Sequence, residues 1–244
     1  NKGSNKVRQI FITTHSTHIV ASTSLDNIIC LYKDNNKISA GYPNMALDNE
    51  KSKKYVQRFL DATKSDMLFA EKVILVEGLA EQLLLSIFAG YLGLSLEKNR
   101  ITVINVGGRY FKHFLYLFDS RNPNAINKKV ACLIDIDPSR KKKANGNSYE
   151  KCYPFEYNAD HEEYEYQQNP FLEGYEGGGH PNIIFFTQDR KYGKTFEYDL
   201  ILANPTSKLL LTESISNKKE LEVLMDLYEN NKPLHELTAE LGKS

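Results

Sequence analysis

Acidic residues follow three of the strands that the sequence predicts, and their spacing suits them to hold a divalent cation. These acids and one lysine are Glu77 and Glu81 in LVEGLAE, Asp135 and Asp137 in LIDID, and Lys194 and Glu197 in GKTFEYDL. Residues i and i+2 of an extended segment point to the same side, so Asp135 and Asp137 can present two carboxylates to one ion. Glu77 and Glu81 are one helical turn apart and can share a face.

Converging carboxylates repel one another unless a cation neutralises them, and an all-oxygen site suits Mg²⁺ or Mn²⁺. With Glu197 added, two ions can be held, the arrangement that stabilises the attacking and leaving oxygens in phosphodiester cleavage. Lys194 would then supply positive charge to the pentavalent phosphate. Either Glu77 or Glu81 is favoured as the base. A glutamate at a helix start, or an isolated DxD, has an ordinary structural explanation, but three clusters at one sheet edge favour a functional site.

Four short apolar segments are predicted to form the sheet that positions these acids. They are residues 73–76, 101–106, 130–134 and 182–186, and helices are predicted between them at 80–92 and 110–118. Continuous apolar strands separated by helices predict an α/β fold, with a parallel sheet covered by helices on both faces. In open sheets of this kind ligands bind at the carboxyl ends of the strands, which is where the acids fall.

The sequence divides into three regions with an insert in the second. Residues 1–65 contain a predicted strand at 9–13, a hairpin from 27–33 into KISAG and a helix at 49–64. Residues 66–205 carry the α/β pattern, and 206–244 are predicted to form helices at 220–228 and 234–241. The insert spans about 138–181. Residues 152–189 contain eight acids and no Lys or Arg, which suggests a lid over the metal-binding edge.

LVEGLAE followed by LIDID resembles the TOPRIM domain of topoisomerases, primases and some nucleases. The later KTFEYDL is similar to the segment that closes this domain in the overcoming-lysogenization-defect (OLD) family nucleases, which include the nuclease subunit of Gabija antiphage systems. The resemblance implies a metal-dependent DNA endonuclease. It places metal ligands at Glu77, Glu81, Asp135, Asp137 and Glu197. The family's catalytic lysine falls on Lys194, although Lys191 competes for that assignment.

FITTHSTHI resembles the switch-histidine segment of ABC-type ATPase heads, with His15 at the nucleotide-contacting position. An ATPase head followed directly by TOPRIM is the order of the OLD family. The sequence has no GxxxxGK[ST] loop to hold nucleotide phosphates, so ATP is expected only in the full-length protein. We therefore interpret the chain as a fragment whose missing ATPase head would form a homo-oligomer and gate access. A helicase-type partner is also compatible with the resemblance.

A basic run, Arg140, Lys141, Lys142 and Lys143, follows the DxD motif. It can be a solvated face or a clamp for the DNA backbone, and the sequence alone leaves both interpretations open.

The overall composition narrows the class of protein. Lys plus Arg and Asp plus Glu both number 31, which argues against a uniformly basic, histone-like protein. Apolar runs fall well short of the ~20 residues that a bilayer span needs, and no signal peptide is visible, so no membrane partner is expected. The three cysteines match no CxxC or zinc spacing, which favours a reducing, cytoplasmic setting.

Two alternatives to a nuclease remain from the sequence. A topoisomerase or primase shares the acidic motifs, but a topoisomerase needs a tyrosine that holds the cut strand, and none of the 15 tyrosines is distinguished by its context. A DNA-clamping ATPase appendage without catalytic activity is the second alternative. The presence of an acid at every expected position argues against it.

Overall fold

The structure is a computed structural model in which most of the α/β region and smaller parts of the insert and C-terminal region are described. The described residues are 9–34, 36–47, 49–61, 63–136, 139–142, 149–151, 164–166, 175, 179–189, 193–208, 211, 213, 218–233 and 236.

The described residues form nine strands and seven α-helices. The strands are β1 (Cys30–Asp34), β2 (Lys37–Gly41), β3 (Lys72–Val76), β4 (Ile101–Asn105), β5 (Lys129–Leu133), β6 (Ser139–Lys142), β7 (Tyr149–Lys151), β8 (Tyr164–Tyr166) and β9 (Ile183–Phe186). The helices are α1 (Thr17–Ala21), α2 (Pro43–Ala46), α3 (Glu50–Phe59), α4 (Leu79–Tyr91), α5 (Phe111–Leu115), α6 (Phe196–Ala203) and α7 (Lys218–Glu229). Short 3₁₀ turns cover Leu25–Asn27 and Lys64–Leu68.

The central sheet has four parallel strands in the order β4-β3-β5-β9 and is flanked by helices. Its strands are the four that the apolar pattern predicts, so the α/β fold class is confirmed. The register places Val76 beside both Asn105 and Leu133, and Leu133 beside Phe186. All four strands therefore end at the same level, and the residues that follow them share one edge.

A single hydrophobic core joins the sheet to the preceding region. Val56 of α3 and Leu75 of β3 are fully buried in it, together with Phe111 and Phe114 of α5. The buried Lys128 ammonium donates to the carbonyl oxygens of Met67 and Leu68, at 3.1 and 2.7 Å. Apolar packing continues across residue 65, so the core does not separate the two predicted domains there. The predicted boundary near residue 65 stays a prediction.

The first region forms the predicted hairpin but not the predicted first strand. β1 and β2 pair antiparallel from Cys30 beside Gly41 to Asp34 beside Lys37. Residues 9–13, which the apolar pattern assigns to a strand, have no regular structure, and Ile10 and Phe11 are 73% and 82% exposed. The strand prediction is wrong for this structure, because no described strand offers the hydrogen bonds that an extended segment needs.

Parts of the insert form a sheet of their own. β6 lies between β7 and β8, and both neighbours pair with it antiparallel. Lys141 stands opposite Tyr164, and Arg140 opposite Glu165. Backbone pairing therefore ties an acidic, aromatic strand of the insert to the basic one. The action of the insert as a lid stays a prediction.

The C-terminal region contains α7, which matches the helix predicted at 220–228 and extends it by a residue or two at each end. Leu221 and Leu224 of α7 pack on Tyr198 of α6. The helix predicted at 234–241 lies almost entirely outside the described residues. No helix in the described ranges has the length and apolar character needed to cross a bilayer.

A buried histidine holds the amino end of β9. The His180 Nδ1 atom accepts from the backbone N–H of Ile183 at 3.1 Å, so its Nε2 carries the proton and donates to Asp119 at 3.0 Å. Arg121 binds the same carboxylate through two nitrogens, at 2.9 and 2.6 Å. Burial alone would raise the pKa of Asp119, but the hydrogen bonds from Arg121 and His180 outweigh it and lower the pKa to about 2.

We expect Asp119 to stabilise the fold in a pH-dependent way. Its pKa is depressed in the folded state, so its contribution is present above the ordinary pKa of 3.8 and is lost as the pH falls towards 2. The difference in unfolding free energy between the wild type and Asp119→Asn should be about 2 kcal/mol at pH 7 and should shrink between pH 4 and 2. Urea unfolding at several pH values measures it. In an Arg121→Gln background, the pH-dependent part of this free-energy difference should become smaller. A pH-dependent difference as large as in the wild-type background would contradict this account.

Candidate active site

Hydrogen bonds of Glu77 link the segments that follow the strands at the carboxyl-end edge of the sheet. Its carbonyl oxygen accepts from the N–H of Gly108, at 2.8 Å, and its side-chain Oε1 accepts from the N–H of Asp135, at 3.1 Å. Glu77 therefore connects the residues that follow β3, β4 and β5. Gly107 and Gly108 both have positive φ angles, +74° and +104°, so the sharp turn after β4 suits glycine.

The Glu77 carboxyl lies in a partly buried, negatively charged environment. Burial raises its pKa to about 7, and the charge of Asp135 acts in the same direction, while the N–H of Asp135 and the positive charge of Arg109 lower it. A carboxyl whose ionisation is opposed by a second acid is typical of sites where a cation supplies the missing charge. Arg109 was not singled out by the sequence analysis, and its position directly after the Gly107-Gly108 turn was the available signal.

Asp135 is held by two donors from the segment that follows β9. Its Oδ1 accepts from the Gln188 side-chain amide at 2.6 Å and from the N–H of Phe196, the first residue of α6, at 3.0 Å. The positive end of a helix dipole therefore lies at this carboxylate. Gln188 also accepts from the N–H of Ile136 at 2.8 Å. Sequence analysis missed Gln188, because a lone glutamine after a strand carries no distinctive pattern.

Glu81 occupies the first turn of α4, which begins after Gly78. A methyl group placed at Gly78 would approach an oxygen of the Glu81 carboxylate at 2.7 Å, so glycine leaves the space that this carboxylate occupies. Burial raises the pKa of Glu81, and the charges of Asp135 and Glu197 raise it further, whereas its own N–H and that of Gly78 lower it. The structure thus brings Glu81 into the same electrostatic cluster as Asp135 and Glu197.

The start of α6 carries Lys194 and Glu197 to this edge. Thr195 caps the helix by accepting from the N–H of Tyr198, and the N–H of Lys194 donates to the Asp199 carboxylate at 3.2 Å. Burial raises the pKa of Asp199, and the charge of Asp135 adds to the effect. Asp199 is a further acid that sequence analysis missed, although it lies only two residues after Glu197.

The chemistry of this donor set fits a hard divalent cation, because the converging side chains are carboxylates, and burial and neighbouring acids raise the pKa of both Glu77 and Glu81. Within the described ranges, no three Asp, Glu, His or Cys side chains already form a coordination shell. Asp137, one of the five predicted ligands, lies outside those ranges. The described residues that would hold a cation are therefore Glu77, Glu81, Asp135 and Glu197. Asp137 follows Asp135 by two positions in the sequence.

The structure does not place the remaining predicted residues at the acidic edge, and some of them lie outside the described residues. His15 is exposed, with its ring 5.8 Å from Phe69, which precedes the amino end of β3, so the structure does not bring it to the acidic edge. Arg140, Lys141 and Lys142 form the central strand β6 of the insert sheet. Lys143 and the alternative lysine Lys191 lie outside the described residues. The nucleotide-binding and DNA-binding assignments of these residues stay predictions.

Comparison with known proteins identifies the segment that carries most of the cluster. Residues 68–137 match the family described as overcoming lysogenization defect protein-like, TOPRIM domain. This segment is an OLD-like TOPRIM domain. It contains Glu77, Glu81, Asp135 and Asp137, whereas Lys194 and Glu197 lie beyond it. TOPRIM domains bind divalent metals, so the match supports a metal-dependent function in nucleic-acid processing for this protein.

Two solved structures resemble part of this chain. The C-terminal region of the OLD protein of Xanthomonas campestris pv. campestris is 23% identical, covers 73% of this chain and 81% of its own, and has a TM-score of 0.41. The C-terminal region of the Burkholderia pseudomallei OLD protein is 20% identical, covers 72% and 83%, and has a TM-score of 0.39. No curated protein sequence matches this chain.

Gln188 is expected to act as a positioning residue for Asp135. Gln188→Ala should lower metal-dependent activity or metal affinity by about 10- to 100-fold, the usual effect of removing a group that orients a ligand. Isothermal titration with Mn²⁺ and cleavage assays measure the two quantities. Gln82→Ala is the matched control, because Gln82 is a half-buried glutamine of α4 that donates to the carbonyl of Val103 at 3.1 Å. Equal losses in both variants would indicate a general packing effect.

Proposed function

We propose that this chain carries the active centre of a metal-dependent DNA endonuclease that hydrolyses phosphodiester bonds. The observation that carries the proposal is the convergence of Glu77, Glu81 and Asp135 of the TOPRIM domain with Glu197 at one sheet edge. A cluster of carboxylates next to a lysine is suited to phosphate chemistry, since a bound divalent cation screens the acids from the phosphate.

Each residue of the cluster has a distinct task in this proposal. Glu77, Glu81, Asp135, Asp137 and Glu197 would hold one or two Mg²⁺ or Mn²⁺ ions. When bound, such ions polarise the phosphate and activate the attacking water. Either Glu77 or Glu81 would accept the proton of that water.

Gln188 and the N-terminus of α6 keep the Asp135 carboxylate in place before substrate arrives, because both donate to its Oδ1. Lys194 would donate to the phosphate oxygens as negative charge develops on them. Its backbone N–H donates to Asp199 of α6, which fixes the backbone of Lys194 relative to the first turn of that helix.

The wider setting of the nuclease is also a proposal. The chain would act as a cytoplasmic homo-oligomer built through an ATPase head that precedes TOPRIM, with His15 contacting nucleotide there. Its role would be antiphage defence, with DNA as the substrate and a helicase-type protein as a further partner. The basic strand at Arg140, Lys141 and Lys142, with Lys143 following it, would bind DNA phosphates near the centre.

A plasmid assay tests the proposed reaction directly. Purified protein should convert supercoiled DNA to nicked or linear forms with Mg²⁺ or Mn²⁺, and EDTA should stop the reaction. The products should carry free ends after denaturation without protease. A covalent protein–DNA adduct would instead show a topoisomerase, and absence of cleavage with every divalent metal by a protein that binds DNA would favour a DNA-clamping module.

A further inference from the structure

A basic face formed by α3 and α5 lies beside the acidic edge. Lys51, Lys54 and Arg58 are spaced i, i+3 and i+7 along α3, so they share one side of the helix, and all three are exposed. Lys112 of α5 is exposed as well. We call these four residues the α3/α5 basic face. None of them forms an ion pair with another residue in the described part of the chain.

Side-chain contacts pack α3 against α5, so the four cations belong to one surface. Ser52 of α3 is fully buried, and its hydroxyl lies 2.9 Å from Nδ1 of His113 in α5. The ring of Tyr55 stacks on the ring of His113, with centroids 4.5 Å apart. Burial lowers the pKa of His113, and the positive charges of Lys51 and Lys112 lower it further. The imidazole thus lies in the positive field of both helices.

Aromatic rings hold part of this charge in place. The Arg58 guanidinium lies over the rings of Phe59 and Tyr55, at 5.2 and 5.9 Å, and Lys112 lies 6.0 Å from the ring of Tyr116. The attraction between a cation and a ring face favours these positions of the Arg58 and Lys112 side chains.

The two acids among described residues 49–61 each pair with a lysine outside the basic face. Glu50 pairs with Lys53 at 3.2 Å, and Asp61 pairs with Lys64 at 3.2 Å. Neither acid therefore neutralises a cation of the α3/α5 basic face.

The basic face is continuous with the TOPRIM edge through the turn after β4. Tyr55 lies 5.2 Å from Tyr110, the residue that precedes α5 and is 51% exposed. The N–H of Tyr110 donates to the carbonyl of Gly108, and the N–H of Gly108 donates to the carbonyl of Glu77. Arg109 lies between these two residues, and its charge acts on Glu77. Positive and aromatic groups thus lead from α3 to the acidic cluster.

We propose that the α3/α5 basic face, with Tyr110 and Arg109 at its inner end, binds the sugar-phosphate backbone of DNA and directs it to the TOPRIM edge. This inference rests on the proposed function and names a surface for its substrate. A polyanion is the complementary partner for the exposed cations of α3 and α5, and the proposed phosphodiester-cleaving site nearby favours nucleic acid over other polyanions. Contacts of this kind are independent of base sequence and weaken with salt.

Binding without metal tests the surface separately from the chemistry. The protein is titrated in EDTA against a fluorescein-labelled 30-base-pair duplex, with anisotropy read at several salt concentrations. A Lys51→Ala/Lys54→Ala/Lys112→Ala variant should bind at least about tenfold more weakly at low salt. The slope of log affinity against log salt should fall by about 2 to 3, because each lost phosphate contact contributes about 0.9. Arg58→Gln should add a smaller loss.

The matched control removes three exposed lysines at the opposite, amino-end side of the sheet. These are Lys33 and Lys37 of the hairpin and Lys98 of the turn before β4. This control should keep the affinity and the salt slope within about twofold. Circular dichroism should show both triple variants folded. At saturating DNA the basic-face variant should have the wild-type turnover number, and its defect should appear as a raised KM for DNA.

Several outcomes would overturn the inference. Equal losses in the two triple variants would mean that net charge alone governs binding. Unchanged DNA affinity in the basic-face variant would exclude this surface, as would preferential binding of the wild type to anionic phospholipid vesicles or to a polyglutamate peptide. Loss of binding in the basic-face variant alone, with no cleavage by the wild type in any metal, would keep the surface and reject the nuclease.

Discussion

Asp135→Ala is expected to abolish Mg²⁺-dependent DNA cleavage while the protein stays folded. The change removes a proposed metal ligand, whose carboxylate is oriented by Gln188 and by the N-terminus of α6. Loss of a metal-binding group in such a centre removes several kcal/mol of transition-state stabilisation, which corresponds to a rate loss of about 10³-fold or more. Initial rates of plasmid nicking measure the effect.

A second substitution separates charge from hydrogen bonding at this position. Asp135→Asn keeps an oxygen that can accept from Gln188 and Phe196, so its loss of activity would be due to the missing charge. Asp26→Ala, at an exposed acid of the first region, is the control and should cleave at the wild-type rate. Undiminished nicking by either Asp135 variant, in preparations free of contaminating nuclease, would reject the metal-ligand assignment.

Lys194→Ala is expected to lower turnover by about 10²- to 10³-fold with little change in metal binding. The lysine would act on charge that develops on the phosphate in the transition state, and removal of one such donor has an effect of this size. Single-turnover cleavage gives the rate, and calorimetric titration with Mn²⁺ gives the affinity. Lys194→Arg should recover part of the rate, because it restores the positive charge.

The matched comparison for Lys194 is Lys191→Ala, since both lysines lie between β9 and α6. Near-wild-type turnover in Lys191→Ala would support the assignment to Lys194. The opposite result, with Lys191→Ala slow and Lys194→Ala active, would transfer the catalytic role to Lys191. A large loss of metal affinity in Lys194→Ala would show that this residue organises the acidic cluster rather than the transition state.

Local patterns were sufficient for the parallel sheet and for the edge at which the acids lie. Apolar runs such as 73–76 and 130–134 have few alternatives to buried strands, and parallel strands of one sheet end together. The positions of Glu77 and Asp135 follow from this geometry alone. The strand predicted at 9–13 shows the limit of such reasoning, because a strand also needs a neighbour that its own sequence cannot supply.

The sequence by itself determined the parallel α/β fold, the TOPRIM motif and the carboxylates at one edge, because strand periodicity and motif spacing are local properties. Only the tertiary structure decided which groups orient those carboxylates. Gln188 lies 53 residues from Asp135 in the chain, and Phe196 lies 61 residues from it. The packing of α3 on α5, which places Lys51 and Lys112 on one surface beside Arg109, depends on contacts of the same long range. Chain topology, and not residue type, brings such partners together.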